Sequence, residues 1–242
     1  MKKHITYPYI LNPPHLITVK LIGVGGTGSQ VLSQLARMNV GLIGLGHPGI
    51  HVTAYDHDEV SESNVGRQLF SPADLGVNKA ISSITRINRY FGFDWEAVPE
   101  RYLGAQSANI LISCTDNVAS RIAINAAFLT PIKGLMEDHN TNMYWLDFGN
   151  SRVTGQVVLG TCLKKHKLKT VCEMFDLEQV NEAEQGPSCS LAQALSRQDL
   201  FINSTLANLG CNLLWKLFTQ GSLSHHGLYL NLETINVKGI PV

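Results

Sequence analysis

A glycine-rich turn near the N-terminus constrains the fold of this chain more than any other feature. The turn lies within residues 21–29, where Gly23, Gly25 and Gly28 fit the pattern G-x-G-x-x-G. The aliphatic run at 19–24 is typical of a buried parallel strand, and the apolar residues after the turn recur at helical spacing. Such glycines let the backbone approach a phosphate, and the N-terminus of the following helix offers unpaired N–H groups. The turn therefore predicts a nucleotide site, without specifying the nucleotide.

Strand and helix patterns alternate along the rest of the chain. The run at 50–55 is predicted to be a second strand, which completes a β-α-β unit. Further strands are predicted at 95–98, 109–113, 144–148 and 156–159, and further helices are predicted from Lys79 and at 118–128. This order predicts a Rossmann-like α/β fold, doubly wound around a mostly parallel sheet, in a single domain at 1–242.

Three segments complete this domain. Residues 1–18 are an N-terminal extension, and the polar stretch at 161–190 is interpreted as a crossover loop. Residues 191–242 contain a predicted long helix at 191–218, followed by apolar residues that alternate from Leu228 onward. This alternation predicts a pair of antiparallel C-terminal strands.

The composition excludes several classes of function. Basic and acidic residues both number 19, so no overall basic field points to nucleic acid as a partner. No apolar run approaches the roughly 20 residues that span a bilayer, and residues 1–8 lack the apolar core of a signal peptide. Five scattered cysteines suit free thiols in a reducing compartment. We expect a cytoplasmic protein that binds neither nucleic acid nor membrane.

A group of polar residues follows the second strand. Asp56 stands where an acidic residue binds the adenosine ribose in dinucleotide enzymes, so NAD and ATP are equally compatible with it. Asn64, Arg67, Gln68 and Lys79 then add two permanent cations and two amides. A hydride-transfer site has no special need of these groups. A site that cleaves a triphosphate needs them, because the cations hold phosphate oxygens and stabilise the charge that develops during cleavage.

Asp116 follows the predicted strand at 109–113. The carboxyl ends of parallel strands meet at one edge of a sheet, so Asp116 is expected near the glycine turn, where it could hold Mg²⁺ against a triphosphate. Each polar residue also has an ordinary structural alternative. These alternatives are surface cations for Arg67 and Lys79, a turn former for Asn64, and a helix N-cap for Asp116 or Thr115.

In their order, these motifs resemble the ThiF/MoeB superfamily, which includes the ubiquitin-activating enzymes. The motifs are Gly23-x-Gly25-Gly26-x-Gly28-Ser29, Asp56-x-Asp58, Asn64-x-x-Arg67-Gln68, Lys79 and Cys114-Thr115-Asp116-Asn117. The resemblance covers roughly residues 21–125 and returns at Gly155-Gln156-Val157 and in the final helix and strands. Within the superfamily, segments 187–190 and 197–203 are similar to the ThiF-type proteins of the PRTRC plasmid cassette.

The resemblance implies an ATP-dependent adenylyltransferase that acts on the C-terminal glycine of a ubiquitin-like or sulfur-carrier protein with a β-grasp fold. The partner's carboxylate attacks the α-phosphate of ATP, and no general base is needed because this carboxylate is already ionised. The resemblance also implies a homodimer. It assigns Arg67 and Lys79 to catalysis, Asp116 to Mg²⁺, and the nucleotide to Gly23, Gly25, Gly26, Gly28, Asp56, Asp58, Asn64, Arg67, Gln68 and Lys79.

The chain departs from its bacterial relatives in two respects. Many of them carry two C-x-x-C pairs for zinc, but the cysteines here have no such spacing, so we expect no zinc site. Relatives also supply an arginine from near the N-terminus. Only lysines, Lys2, Lys3 and Lys20, precede or lie within the first strand, so this arginine cannot be assigned here.

Cys189 raises the possibility of a second chemical step. The segment Pro187-Ser188-Cys189-Ser190 resembles the Pro-x-Cys-Thr segment that carries the thioester cysteine of ubiquitin-activating enzymes. It precedes a predicted helix, whose N-terminus lowers the pKa of a thiol and favours the nucleophilic thiolate. A structural cysteine is the alternative.

Two other functions remain open from the sequence. An NAD-dependent oxidoreductase would account for the glycine turn and Asp56 alone. A non-catalytic scaffold could keep the fold and bind a β-grasp partner. Protection against heating by NAD(H) and not by ATP would indicate the oxidoreductase. Partner binding without ATP/pyrophosphate exchange would indicate the scaffold.

Overall fold

The computed structural model describes residues 2–104, 107–129, 141–162, 167–176 and 191–242. The strands are β1 His4–Ile5, β2 Ile17–Ile22, β3 Ile50–Tyr55, β4 Glu96–Val98, β5 Ile110–Ser113, β6 Tyr144–Asn150, β7 Thr154–Thr161, β8 Ser222–Leu223, β9 His225–Asn231 and β10 Asn236–Pro241. The helices are α1 Pro8–Leu11, α2 Gly26–Gly44, α3 Lys79–Phe91, α4 Val118–Leu129, α5 Val171–Met174, α6 Leu191–Arg197 and α7 Ile202–Gln220. In this described part of the chain, no helix combines the length and the apolar character that crossing a bilayer requires.

Eight strands form one sheet in the order β10-β9-β7-β6-β5-β2-β3-β4. The neighbours from β6 to β4 pair in parallel, whereas β7, β9 and β10 pair antiparallel. Strands β1 and β8 form a separate antiparallel pair. This topology confirms the predicted α/β fold, with its mostly parallel sheet and antiparallel C-terminal strands.

Helices cover both faces of the sheet because the central strands are apolar on both sides. Along β2, Val19 and Leu21 enter the larger core cluster, which contains residues of α2, α3 and α7. Ile22 enters a second cluster, which contains residues of α4 and α5. The layers therefore follow from the sequence, with α2 connecting β2 to its parallel neighbour β3.

The single helix predicted at 191–218 is wrong, because the structure has two helices here. Helix α6 ends at Arg197 and α7 begins at Ile202. Between them, Asp199 donates its N–H to Arg152 O at 2.9 Å, and its Oδ1 accepts the N–H of Phe201 at 2.8 Å. These bonds replace helical ones, so the chain turns without glycine or proline.

The boundaries of the predicted segments also shift. Strand β2 begins at Ile17, inside the predicted N-terminal extension at 1–18, and that extension contains β1 and α1. Helix α5 lies inside the predicted crossover segment at 161–190. Residues 163–166 and 177–190 of that segment lie outside the described residues.

Candidate nucleotide site

Three loops meet at the carboxyl edge of the parallel strands. The glycine turn follows β2, Asp56 follows β3, and the segment 114–117 follows β5, and these three strands are neighbours in the sheet. Ligand sites of open α/β sheets lie at this edge. The fold therefore brings together segments that are about 30 to 90 residues apart in the sequence.

Gly23 and Gly28 are required by the turn itself. Gly23 has a φ of +87°, and a Cβ on it would lie 2.8 Å from Cys114 O. A Cβ on Gly28 would collide with the carbonyl oxygen of Gly23. Only glycine fits at these two positions, whatever the ligand is.

Gly25 and Gly26 differ in what surrounds them. A Cβ on Gly26 would lie 2.5 Å from Nδ2 of Asn203, at the start of α7, so this glycine makes room for a protein side chain. Among the described residues, a Cβ on Gly25 would meet nothing nearer than the amide of Gln68, at 3.9 Å. Gly25 is thus the glycine of this turn that borders open space, where a phosphate could approach the backbone.

Asp56 links the turn to the loop after β3. Its Oδ2 accepts the N–H of Val24 at 2.6 Å, and its Oδ1 accepts the N–H of Asp58 at 2.9 Å. Burial raises the pKa of Asp56, and these two backbone bonds act in the opposite direction. A carboxylate oxygen can accept more than one bond, so a ribose hydroxyl could still bind here.

Lys79 is held beside this loop by two neighbours. Its Nζ lies 2.9 Å from Oδ2 of Asp58, and its side chain is 10% exposed. Burial acts to raise the pKa of Asp58, but the hydrogen bond and charge of Lys79 bring it below its ordinary value. Asn78 caps α3 by accepting the N–H groups of Ala80 and Ile81, and its Nδ2 donates to the carbonyl oxygens of Asp56 and Asp58. Asn78 was missed in the sequence, although an amide before Lys79 is a recognisable N-cap signal.

Asn64 and Gln68 belong to one turn, and both are more than nine-tenths buried. The Oδ1 of Asn64 accepts the N–H of Ser61 at 3.0 Å, so the turn-forming alternative describes part of its role. The backbone N–H of Gln68 donates to Asn64 O at 2.9 Å, which places its side chain against Gly25. Oε1 of Gln68 is buried and has no hydrogen-bond partner among the described residues.

Arg67 is partly buried and also has an unsatisfied donor. Its Nη1 donates to Oε1 of Gln198 at 2.8 Å, while its Nε has no partner within the described chain. Burial lowers the pKa of Arg67, which remains a cation at neutral pH. Oγ1 of Thr115 is a third buried polar atom in this region that has no partner among the described residues. Buried polar atoms without partners are costly, so their grouping around the turn is typical of a ligand site.

Asp116 is exposed at the end of β5 and does not cap α4. The capping side chain is Asn117, whose Oδ1 accepts the N–H of Ser120 at 2.7 Å. The alternative of an N-cap role for Asp116 or Thr115 is therefore wrong. The backbone N of the preceding Thr115 lies 3.6 Å from the position of a Cβ on Gly23, so Asp116 follows directly on a contact with the turn. An exposed carboxylate there fits the oxygen-rich ligand set that Mg²⁺ prefers.

A buried ion pair stabilises the loop that carries Asp116. The Nε of Arg121 lies 3.1 and 3.2 Å from the two carboxylate oxygens of Asp147, and its Nη2 donates to the carbonyl oxygens of Thr115 and Phe148. Oδ1 of Asp147 also accepts the hydroxyl of Ser113 at 2.5 Å. Arg121 was not predicted from the sequence, because it lies in α4 and its partner lies 26 residues away in β6.

The cysteines divide into two groups. Cys189 lies outside the described residues, so its proposed thioester role stays a prediction. Cys211 is buried in α7, and burial raises its pKa to about 12. Burial likewise raises the pKa of Cys172, to about 11. These two thiols are therefore poor nucleophiles at neutral pH.

A groove crosses the antiparallel strands on the face that carries Arg121. Its floor includes Gln156 of β7, Tyr229 of β9 and Lys238 of β10, which are paired in register, and it encloses about 380 Å³. At its inner end, Gln156 pairs with Gly149, where a Cβ would lie 3.4 Å from Nη2 of Arg121. The groove therefore lies close to Arg121, which donates to Thr115 O in the loop of Asp116.

The fold defines a Rossmann-type α/β protein with a candidate nucleotide site at the carboxyl edge of its parallel strands. The sequence profile of the ThiF family matches residues 16–236. The chain therefore belongs to the ThiF family.

The similar proteins include ubiquitin-like modifier-activating enzymes. Ubiquitin-like modifier-activating enzyme 5 of Drosophila erecta is 28% identical over 160 residues, which cover 57% of this chain and 35% of that protein. The Culex quinquefasciatus protein of the same name is 28% identical over 130 residues, which cover 46% of this chain and 30% of that protein. The chain spans about a third of the length of these relatives.

Solved structures share the fold at low sequence identity. E. coli MccB crystallised with ATP has a TM-score of 0.65 and 16% identity, covering 96% of this chain and 64% of that one. PaaA has a TM-score of 0.64 and 16% identity, covering 93% and 64%. The shared fold extends over nearly the whole of the present chain.

Proposed function

We propose that this protein uses ATP to adenylate the C-terminal glycine carboxylate of a ubiquitin-like or sulfur-carrier protein with a β-grasp fold. One observation carries the proposal. The buried Nε of Arg67 and the buried Oε1 of Gln68 lack hydrogen-bond partners in the described chain, and this Oε1 lies 3.9 Å from the position of a Cβ on Gly25. A nucleotide phosphate chain and its surrounding water would satisfy both atoms.

The reaction is a displacement at the α-phosphate. A carboxylate oxygen of the partner forms a bond to the α-phosphorus, and the bond from that phosphorus to the oxygen bridging to the β-phosphate breaks. The products are an acyl adenylate and pyrophosphate, which takes the bonding electron pair. No proton is transferred to the attacking group, so catalysis rests on orientation and on stabilising charge.

Each residue has a role that follows from its position. Asp56 accepts a ribose hydroxyl, the two cations Arg67 and Lys79 hold the phosphates, and Asp116 binds Mg²⁺ between protein and triphosphate. The metal would neutralise charge on the leaving group. The ion pair of Arg121 and Asp147 keeps the loop of Asp116 in place.

The partner's C-terminal segment would lie in the groove of Gln156, Tyr229 and Lys238. This groove lies close to Arg121, which contacts the loop that carries Asp116, where the terminal carboxylate must arrive. The strands under the groove pair their backbone groups with one another, so the segment would contact the side chains of Gln156, Tyr229 and Lys238, and Lys238 would add a positive charge.

Three finer parts of the proposal rest on the sequence resemblance. They are membership of the PRTRC type, supported by segments 187–190 and 197–203, a homodimer, and transfer of the acyl group to Cys189 as a thioester. A Cys189→Ala variant that still formed a reducible thioester would exclude the last of these. A cytoplasmic location is proposed separately, from the N-terminal residues and the scattered cysteines.

ATP/pyrophosphate exchange tests the adenylation step. The assay contains a β-grasp protein encoded beside this chain, ATP, Mg²⁺ and labelled pyrophosphate. We expect wild type to exchange label, and Arg67→Ala and Asp116→Ala to lose exchange by at least about 100-fold, because both residues stabilise charge in the transition state.

Matched surface variants provide the controls. Arg37→Ala and Asp94→Asn alter an exposed arginine and an exposed aspartate away from the site and should exchange at the wild-type rate. Full exchange by both Arg67→Ala and Asp116→Ala would show that the site is wrongly assigned. Partner binding without exchange by wild type would indicate a scaffold.

A further inference from the structure

The break between α6 and α7 places Gln198 against Arg67. Oε1 of Gln198 accepts the Nη1–H of Arg67 at 2.8 Å, although the two residues are 131 positions apart in the sequence. Helix α6 also packs against the turn at Glu62–Asn64, which belongs to the same loop as Arg67. The break therefore lies beside the candidate phosphate site.

Two buried side chains fix the orientation of the Gln198 amide. Nδ2 of Asn203 donates to the same Oε1 at 3.1 Å, and Oδ1 of Asn203 accepts the hydroxyl of Thr27 at 2.9 Å. Asn203 and Thr27 are 2% and 7% exposed. Oε1 of Gln198 accepts both bonds, so rotating this amide would set its Nε2 against the donors of Arg67 and Asn203. Rotating the amide of Asn203 would set its Oδ1 against Oε1 of Gln198.

This chain of bonds selects which edge of Arg67 is used. Nη1 is held by Gln198, whereas Nε is buried without a partner among the described residues. The edge formed by Nε and Nη2 thus stays available, and this edge binds two phosphate oxygens in parallel. Without Gln198, the guanidinium could rotate and lose this alignment.

We propose that Gln198 is a positioning residue that, held by Asn203 and Thr27, aims the guanidinium of Arg67 at the nucleotide phosphates. The inference rests on the proposed function only in that Arg67 contacts phosphate. It gives the segment between α6 and α7 a role in nucleotide binding that the glycine turn and the strand-end acids do not reveal.

A neutral acceptor is important at this position. A carboxylate at 198 would form an ion pair with Arg67 and neutralise the charge that phosphate needs. A glutamine amide orients the guanidinium and leaves its full positive charge for the ligand. Replacing Gln198 by glutamate should therefore weaken ATP binding more than replacing it by leucine does.

A double-mutant cycle on ATP binding tests the proposal. The dissociation constant of Mg·ATP is measured by calorimetry for wild type, Gln198→Leu, Arg67→Ala and the double variant. We expect Gln198→Leu to weaken binding roughly tenfold in wild type and less than about twofold in Arg67→Ala, because Gln198 acts through Arg67. Equal weakening in both backgrounds, or none in either, would overturn the proposal.

Other variants separate positioning from a loss of structure. Gln198→Glu retains a hydrogen-bond acceptor for Arg67, so it should keep the wild-type melting temperature while it weakens ATP by more than Gln198→Leu does. Gln220→Leu, an exposed glutamine at the end of α7, should leave ATP binding unchanged. If Gln198→Glu bound ATP as wild type does, the requirement for a neutral acceptor would be refuted, whereas the positioning role would be supported because the hydrogen bond to Arg67 is retained.

The exchange assay on the same proteins distinguishes the two proposals. Coupling between Gln198 and Arg67 in a protein that binds ATP but performs no exchange would refute adenylation and support the positioning role. Exchange by wild type without this coupling would support adenylation and refute the positioning role. Absence of ATP binding would refute both.

Discussion

Among single residues, the adjacent glycines Gly25 and Gly26 separate stability from ligand binding. A Cβ on Gly26 would press on Asn203, whereas a Cβ on Gly25 would enter the space beside Gln68. We expect Gly26→Ala to cost about 1–3 kcal/mol of unfolding free energy, because the buried amide must move. Gly25→Ala should change the free energy of unfolding by less than about 1 kcal/mol. It should weaken ATP binding at least about tenfold, because the new methyl group fills the space through which a phosphate approaches the backbone.

Urea denaturation and calorimetric ATP titration of the two variants check this contrast. Gly44→Ala is a suitable control, because a Cβ there meets nothing within 4 Å. A large loss of ATP affinity in Gly26→Ala at unchanged stability would mean that Gly26, like Gly25, borders the nucleotide.

The residues of the site differ in how far the sequence could reveal them. Asp56, Lys79 and Asp116 stand at strand or helix ends, and the structure places them at one edge because parallel strands share their direction. Gln198 and Arg121 act through partners that are distant in the sequence. Such contacts depend on tertiary packing and leave no periodic signal in the chain.

At the level of elements, the start of α3 connects helix capping to the site. Oδ1 of Asn78 accepts two N–H groups of the first turn, and Nδ2 donates to the carbonyl oxygens of Asp56 and Asp58. We expect Asn78→Ala to lose about 1–2 kcal/mol, because both functions disappear. Asn78→Asp keeps the cap acceptor but turns a carboxylate oxygen towards the carbonyl oxygens of Asp56 and Asp58. It should therefore keep the contribution of the cap, while repulsion displaces the loop and weakens ATP binding.

Thermal melting and ATP titration of both Asn78 variants measure this separation. Asn88 does not offer a neutral control, since its side chain bonds to Trp95, so Asn212, an exposed asparagine of α7, is used instead. If Asn78→Asp bound ATP like wild type, the bonds from Nδ2 to the loop would have no role in shaping the site.

Elements with a regular apolar period were predictable, and their interruptions were not. The alternation at Leu228 and Leu230 correctly predicted β9 and its pairing with β10. The apolar period continues from α6 into α7, and neither glycine nor proline marks the break at Asp199. The sequence therefore gives no signal of the break. The bonds of Asp199 to Arg152 and Phe201 decide the break, and one of these partners lies on the β6–β7 turn.

In the whole molecule, the site is assembled from segments that span most of the chain. The glycine turn, the loop after β3, the loop after β5 and the α6–α7 break all contribute side chains or backbone to it. The helix of the glycine turn, α2, packs directly against α7 within the larger core. A ligand that binds all of these segments must therefore stabilise the fold as a unit.

This coupling makes global stability a measure of nucleotide preference. At a concentration of about 100 times its dissociation constant, Mg·ATP should add about 2.7 kcal/mol and raise the melting temperature by roughly 5–10 °C. Adenosine lacks the phosphates that the cations Arg67 and Lys79 hold, so it should give a much smaller shift. NAD⁺ at the same concentration should also give a smaller shift than ATP.

The ATP shift should shrink in Lys79→Ala and persist in Lys216→Ala, which alters an exposed lysine of α7. A larger shift with NAD⁺ than with ATP would instead support a dinucleotide enzyme, because the cations would then not be selecting a triphosphate.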